Sequence, residues 1–239
     1  MKQEITRIDL GGVNCYLGKE GDGYILFDTG GHMVMDRQFD NRRDRLVEDL
    51  EKYGCKPGNL KLVVLTHGDN DHAANAAFIR AKYNAEIAMH RDDLELVDNP
   101  GIEKVMQSFG YKSLIYKAVF LLMKGLIKKA SLKILDDFEK FVPDIFINEG
   151  YSLSEYGFDA RIVHIPGHTP GSIGILTDEG DLIAGDTLTN MNKPDIAPNA
   201  YDFEALEAGV DRIKTMAVRT VYPGHGQPFD AKQLCAGNR

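Results

Sequence analysis

Thr-His-Gly-Asp-Asn-Asp-His, residues 66–72, packs His67, Asp69, Asp71 and His72 into six positions. The apolar, β-branched run Leu-Val-Val-Leu at 62–65 leads into it, and an alanine-rich stretch at 73–81 with helical character leaves it. The segment therefore belongs on a strand-to-helix turn. Imidazoles and carboxylates at this density repel and desolvate one another unless a cation satisfies them, so a metal ion or a pair of ions is the expected occupant. A polar loop capping the helix, with Asn70 or Asp71 as N-cap, is the plain alternative.

The 239 residues suffice for one large core or two small ones, and 43% hydrophobic with 27% charged residues is ordinary for a soluble globular protein. A net charge of −8 disfavours broad binding to a nucleic-acid backbone and adhesion to anionic lipid, although a local patch can override the total. Cys15, Cys55 and Cys235 are odd in number and form no C-x-x-C pair, so free thiols in a reducing compartment are expected. The opening MKQEITRIDLGG has no apolar signal segment, and the most apolar stretch, 114–127, is interrupted by Lys117 and Lys124 and is too short for a membrane span. The expectation is a cytoplasmic protein.

Residues 4–10, 14–18 and 24–27 read as short strands separated by glycine turns, the third ending in Asp28-Thr29-Gly30-Gly31. Residues 36–53 read as an amphipathic helix burying Phe39, Leu46, Val47 and Leu50, stopped at Gly54. A strand at 86–89 and a short helix at 92–97 continue a mixed α/β order. After Asn99-Pro100-Gly101 the chain looks helical as far as 141. There Leu114, Ala118, Leu121, Leu122 and Leu126 share one broad apolar face beside a narrow stripe of Lys117, Lys124 and Lys128. Core packing is the plain reading; a lid over a site or a dimer face is the sharper one. Strands follow at 143–148, 158–165, 173–176 and 182–184, then a Pro-, Asn- and Asp-rich loop at 190–199, a helix at 203–216 and a strand at 219–222. No repeat, low-complexity tract or linker stands out.

Three further residues stand at the ends of these strands, each beside glycine: His168 in Pro-Gly-His-Thr-Pro-Gly-Ser, Asp186 in Gly-Asp and His225 in Pro-Gly-His-Gly. Glycine lets the backbone pass close to a ligand and aims a side chain inward. Four of the seven histidines thus occupy strand-end turns beside acidic partners, which points to a dinuclear metal site. His32, after a Gly-Gly turn, is expected to be exposed. His90 starts a helix and is a candidate for the cleft wall, and His164 reads as packed or surface strand.

The set resembles the metallo-β-lactamase superfamily: Asp28-Thr29-Gly30, residues 66–72, the His168 and Asp186 turns and Pro223-Gly224-His225-Gly226 stand in that family's order along nearly the whole chain. The resemblance implies an α/β, αββα four-layer sandwich, one domain over 1–239, with a helical insertion at about 100–142 covering the active site. It implies that His67, Asp69 and His168 hold one metal, that Asp71, His72 and His225 hold a second, and that Asp186 bridges them. Asp28, Thr66 and Thr169 would support these ligands from behind. The chain departs from the family's H-x-H-x-D-H at Asp69, where the middle histidine belongs. Zinc remains the expected metal, with iron or manganese brought into range by the extra oxygen ligand; a weakened first site holding no metal is the other consequence.

The function this implies is hydrolysis of an ester-type bond in a small molecule: carboxylic ester, lactone, thioester or phosphodiester. Two cations would lower the pKa of a shared water towards ~7, with Asp71 orienting the resulting bridging hydroxide. Thr189 replaces the tyrosine that acyl-homoserine lactonases carry three residues after the bridging aspartate. The short tail after His225 argues against a glutathione thioester, and the insertion suits an apolar acyl group. The rival reading is a di-iron oxidoreductase for oxygen or nitric oxide, similar to flavodiiron proteins without their flavin domain and motivated by Asp69. A third reading gives the metals only a structural role. The expected partners are a small-molecule substrate and a second copy of the chain bound through the insertion, with no nucleic acid and no membrane span.

Overall fold

Alternation of apolar and polar residues opens the chain. In a computed structural model that describes residues 3–34, 36 and 38–236, β1 (Glu4–Asp9), β2 (Asn14–Glu20) and β3 (Gly23–Phe27) form an antiparallel meander. The side chains of Glu20, Cys235 and Ala236 also fall outside the described set, and the free thiol expected at Cys235 with them. α1 (Arg43–Lys52) leads to β4 (Leu60–Val64), which pairs parallel to β3. α2 (Asn70–Ala73) and α3 (Ala76–Tyr83) return the chain to β5 (Glu86–Met89), parallel to β4. A tight turn at Arg91–Asp93, α4 (Leu94–Val97), α5 (Ile102–Gln107) and the long α6 (Leu114–Asp137) precede β6 (Ile145–Phe146) at the sheet edge.

The second sheet starts with antiparallel β7 (Ala160–His164), β8 (Ile173–Thr177) and β9 (Asp181–Asn190). β10 (Asp195–Ile196) pairs with β9, α7 (Phe203–Thr215) crosses the outer face, and β11 (Thr220–Gly226) runs parallel to β9. β12 (Phe229–Asp230) and α8 (Gln233–Ala236) close the chain. The strand orders are β1-β2-β3-β4-β5-β6 and β12-β11-β9-β8-β7.

The period of two in each strand sorts its side chains into layers. Ile25 and Phe27 of β3, Leu62 and Val64 of β4, and Ile173, Ile175 and Ile183 of the second sheet form the core between the sheets. Leu26 and Val63 face the other way, onto Leu46, Leu50 and Ile79 of the helices. Leu176, Leu182 and Ala184 likewise meet Val210 and Ile213 of α7. The result is the expected αββα sandwich. Both pairs of parallel strands around β4 and β11 direct their C-terminal ends to one edge, the usual position for a site in α/β sheets. No helix among the described residues is long and apolar enough to cross a membrane.

Three elements differ from their sequence reading. The helix expected over 36–53 begins only at Arg43, and Phe39 is 45% exposed. Its cause is Arg42, which is buried with φ 62° and donates to the carbonyls of Leu10, Gly31 and Asp40 while pairing with Asp36. Satisfying a buried guanidinium takes a loop wound around it rather than a helix. The broad apolar face of α6 is not core: Leu114 is 80% and Leu122 87% exposed, while Ile127, Ser131 and Ile134 on the opposite side are buried. Finally, β9 does not end at Asp186 but runs to Asn190, because β10 and β11 pair with it on both sides.

Phe158 fills the space between the sheets, 5.4 Å from the Phe27 ring centroid, where Gly18 leaves room for it. Phe158→Ala should lower unfolding free energy by about 3–5 kcal/mol, with an unchanged denaturant slope in urea titration.

Candidate metal centre

The turn after β4 is shaped from behind by a carboxylate. Asp28, at the end of β3 with φ 61°, accepts from the Thr66 backbone N–H at 2.7 Å and from Thr66 Oγ1 at 2.8 Å. Its Oδ2 also lies 3.0 Å from His72 Nδ1. Thr66 Oγ1, having given its proton to Asp28, faces His67 Nδ1 at 3.0 Å. His168 Nδ1 lies 3.0 Å from the Asn199 carbonyl and His225 Nδ1 2.6 Å from the Gly12 carbonyl. Each of the four imidazoles therefore has a partner for Nδ1 and turns Nε2 towards the others. Pre-set in this way, a histidine is ready to bind a cation.

Those Nε2 atoms converge. The ligating atoms of His67, Asp69 and His168 lie within 4.8 Å of one another, as do those of Asp71, His72 and His225. Asp186 stands between the groups, with Oδ1 3.3 Å from His72 Nε2 and Oδ2 3.7 Å and 3.1 Å from His168 Nε2 and His225 Nε2. All seven residues singled out from the sequence meet here. His67 Nε2, His72 Nε2 and Asp186 Oδ1 are buried and have no hydrogen-bond partner. Orphaned polar atoms at one point are costly unless a ligand satisfies them.

Charge tells the same story. Burial alone would push His225 and His168 down; instead Asp186 and Asp71 hold His225 up at about 10, and Asp69 and Asp186 hold His168 up at about 9. Against the upward push of its partial burial, His225 and His72 keep Asp186 well below the carboxylate range. His67 is driven well below its ordinary value by burial, then by its neighbours His72 and His168. The carboxylates thus attract positive charge to the half-buried wall of a cavity. The donor set, four imidazole nitrogens and three carboxylates, fits divalent cations.

Two close approaches make the geometry attainable. A Cβ on Gly224 would stand 1.9 Å from Asp186 Oδ1, and one on Gly185 would stand 2.5 Å from Thr66 Oγ1. Asn14 secures β11 by donating to the Pro223 and Gly226 carbonyls at 2.8 Å each.

One supporting residue escaped the sequence reading. Asp93 is fully buried behind the centre and accepts from Gly68 N at 2.8 Å, Thr169 Oγ1 at 2.7 Å and Gly171 N at 2.7 Å. It ties the 66–72 turn to the His168 turn, and Thr169 works through it. Burial pushes its carboxyl up to about 6 against these three donors. Its signal was an acidic pair just beyond the end of a parallel strand, where site residues collect. Of the minor histidines, His164 lies on a strand as expected and His32 does not fit its reading. His32 is buried, not exposed: it pairs with Asp137 at 2.7 Å and stacks on Phe39 at 3.9 Å. His90 does not reach the cavity wall. It stacks on His164 at 4.1 Å with the two rings nearly parallel, and the ligand atoms of His90, Asp92 and His164 lie within 4.8 Å of one another.

The centre opens into a cavity of about 320 Å³. Leu96, Val105 and Phe109 line it on one side, and Ile134, Leu135 and Phe138 on another. No Lys or Arg lines it among the described residues.

A sequence model described as the metallo-beta-lactamase superfamily matches residues 8–225. The hydroxyacylglutathione hydrolase GloC of Haemophilus influenzae is 30% identical over 191 residues, covering 77% of this chain and 75% of that protein. An N-acyl homoserine lactonase of Bacillus cereus is 24% identical over 236 residues, covering 88% and 80%. Among solved structures, the B3 metallo-beta-lactamase BLEG-1 superposes with a TM-score of 0.69 at 20% identity over 98% of each chain. A protein crystallised in a di-iron-bound form gives the same four values.

Asp28→Asn replaces an acceptor oxygen with an amide that faces either Thr66 or His72. Metal affinity should fall about 10- to 100-fold, measured by competition with a chromophoric chelator, with the far-ultraviolet circular dichroism unchanged.

Proposed function

Because this chain belongs to the metallo-beta-lactamase superfamily and is a hydrolase of that family, we propose that it cleaves an uncharged carboxylic ester, lactone or thioester with an apolar acyl group, using two divalent cations. The observation that carries the reading is the convergence of unpartnered His67 Nε2, His72 Nε2 and Asp186 Oδ1 at the mouth of an apolar cavity. His67, Asp69 and His168 hold one cation, Asp71, His72 and His225 the other, and Asp186 lies between them. Bound there, the cations supply Lewis acidity and a hydroxide at neutral pH.

The protein's own residues do the rest. Asp71, on the cavity wall, orients the attacking water and accepts its hydrogen bond. Asp28, Thr66 and Asp93 keep the imidazoles and the two turns in register, so little reorganisation accompanies reaction. The 100–142 insertion covers the site: its Val105, Phe109, Ile134 and Phe138 side chains take the acyl group and exclude bulk water. GloC is named for a glutathione thioester. Glutathione carries two carboxylates, and no Lys or Arg lines the described cavity wall to receive them, which supports an uncharged acyl substrate instead. The same absence weighs against a phosphodiester.

Asp69 supports a second reading of the metal. Two nitrogens with two carboxylates make a harder site than three histidines, and the di-iron-bound structural relative has the same fold. Zinc, manganese and iron all suit hydrolysis; a redox role needs iron.

The test is a panel of uncharged esters and lactones of increasing acyl length, with a phosphodiester and a glutathione thioester beside them. Turnover should require metal, rise with acyl length and fall at least about 10³-fold in Asp71→Ala with metal still bound. Phosphodiester turnover alone, or unchanged turnover in Asp71→Ala, would overturn the assignment. Metal-independent turnover would overturn it as well.

A further inference from the structure

The first four turns of α6 expose Leu114, Ile115, Leu121, Leu122 and Leu126, each at least two-thirds accessible. At 100° per residue these fall on one side of the helix, opposite the buried Ile127, Ser131 and Ile134. Soluble proteins rarely leave so continuous an apolar strip in water. Lys117, Lys124 and Lys128 run along one flank of the strip, and Lys129 interrupts it. None of these four pairs with a carboxylate among the described residues. Residues 104–135 contain seven lysines and no Asp or Glu, in a chain whose net charge is −8. This helix is therefore a cationic, apolar patch on an otherwise acidic molecule.

Charge decides what covers it. A second copy packed symmetrically on the strip would set Lys124 and Lys128 near their own counterparts, with no carboxylate between 104 and 135 to neutralise them. Such like-charge contacts disfavour that pairing. A helix with an apolar side flanked by lysines matches an interface of opposite sign, with acyl chains below an anionic surface.

We propose that the outward side of α6 docks on an anionic lipid bilayer, with the leucines at the acyl boundary and the lysines among the phosphates. The helix lies in the interface and does not span it, in keeping with its length and lysine content. Its inner side carries Ser131, Ile134 and Leu135 on the cavity wall, so docking brings the cavity to the membrane surface. The proposal stands independently of which bond the enzyme cleaves.

Sedimentation of the full chain with vesicles tests it, using phosphatidylcholine alone and phosphatidylcholine mixed with phosphatidylglycerol. Binding to the mixed vesicles should exceed binding to the neutral ones by at least about ten-fold, and should be lost near ~1 M salt. The double variant Leu121→Glu/Leu122→Glu should abolish binding while leaving metal content and turnover of a soluble ester unchanged. Exchange of Lys117, Lys124 and Lys128 for Gln should reduce it at least about ten-fold. Absence of binding to the mixed vesicles, or equal binding to both kinds, overturns the proposal. So does a lipid-free dimer, seen by light scattering, that Leu121→Glu/Leu122→Glu converts to monomer.

Discussion

Four imidazoles and three carboxylates share one buried edge of the sandwich, and the rest of the structure is arranged around the unpaired atoms this creates. Proteins do not tolerate such a cluster for stability's sake, because each unpartnered buried group costs about 1–3 kcal/mol. A cation removes that cost at one stroke. The fold supplies what the cation requires: Asp28, Thr66 and the Asn199 and Gly12 carbonyls occupy every Nδ1, and only Nε2 remains to face inward.

The sandwich architecture explains why the ligands can converge at all. β4 and β11 belong to different sheets, yet both deliver their C-terminal turns to the same edge. Asp186 reaches that point from β9, which is parallel to β11 and can lie beside it only because Gly224 has no side chain. Behind the turns, Asp93 joins Gly68 to Gly171 and so couples the two sheets through one carboxylate. Stability of the core and precision of the site are thus linked: a shift of one sheet over the other would separate His67 and His72 from His168 and His225.

Much of this was legible in the residues. The strands of both sheets stand out as short apolar runs, and the seven candidate ligands follow them in segments that contain glycine, a signal that survives without any contact information. What was not legible depended on contacts between distant segments. Arg42 unwinds the start of a helix that apolar periodicity favoured, because its guanidinium serves carbonyls from two loops. Asp93 looked like an ordinary helix start, since its three donors lie on turns 25 and 76 to 78 residues away. His32 looked like a loop residue and is held by Asp137, over a hundred positions on. For α6, periodicity located the apolar side correctly, but no local rule distinguishes a side turned to the core from one turned to the outside.

The most direct measurement is diffraction from crystals of the native protein on either side of the zinc, iron and manganese absorption edges. Two anomalous peaks, one among His67, Asp69 and His168 and one among Asp71, His72 and His225, with Asp186 between them, are the predicted result. A fully occupied crystal with a single peak, or with none within reach of these seven residues, would contradict a centre built for two cations.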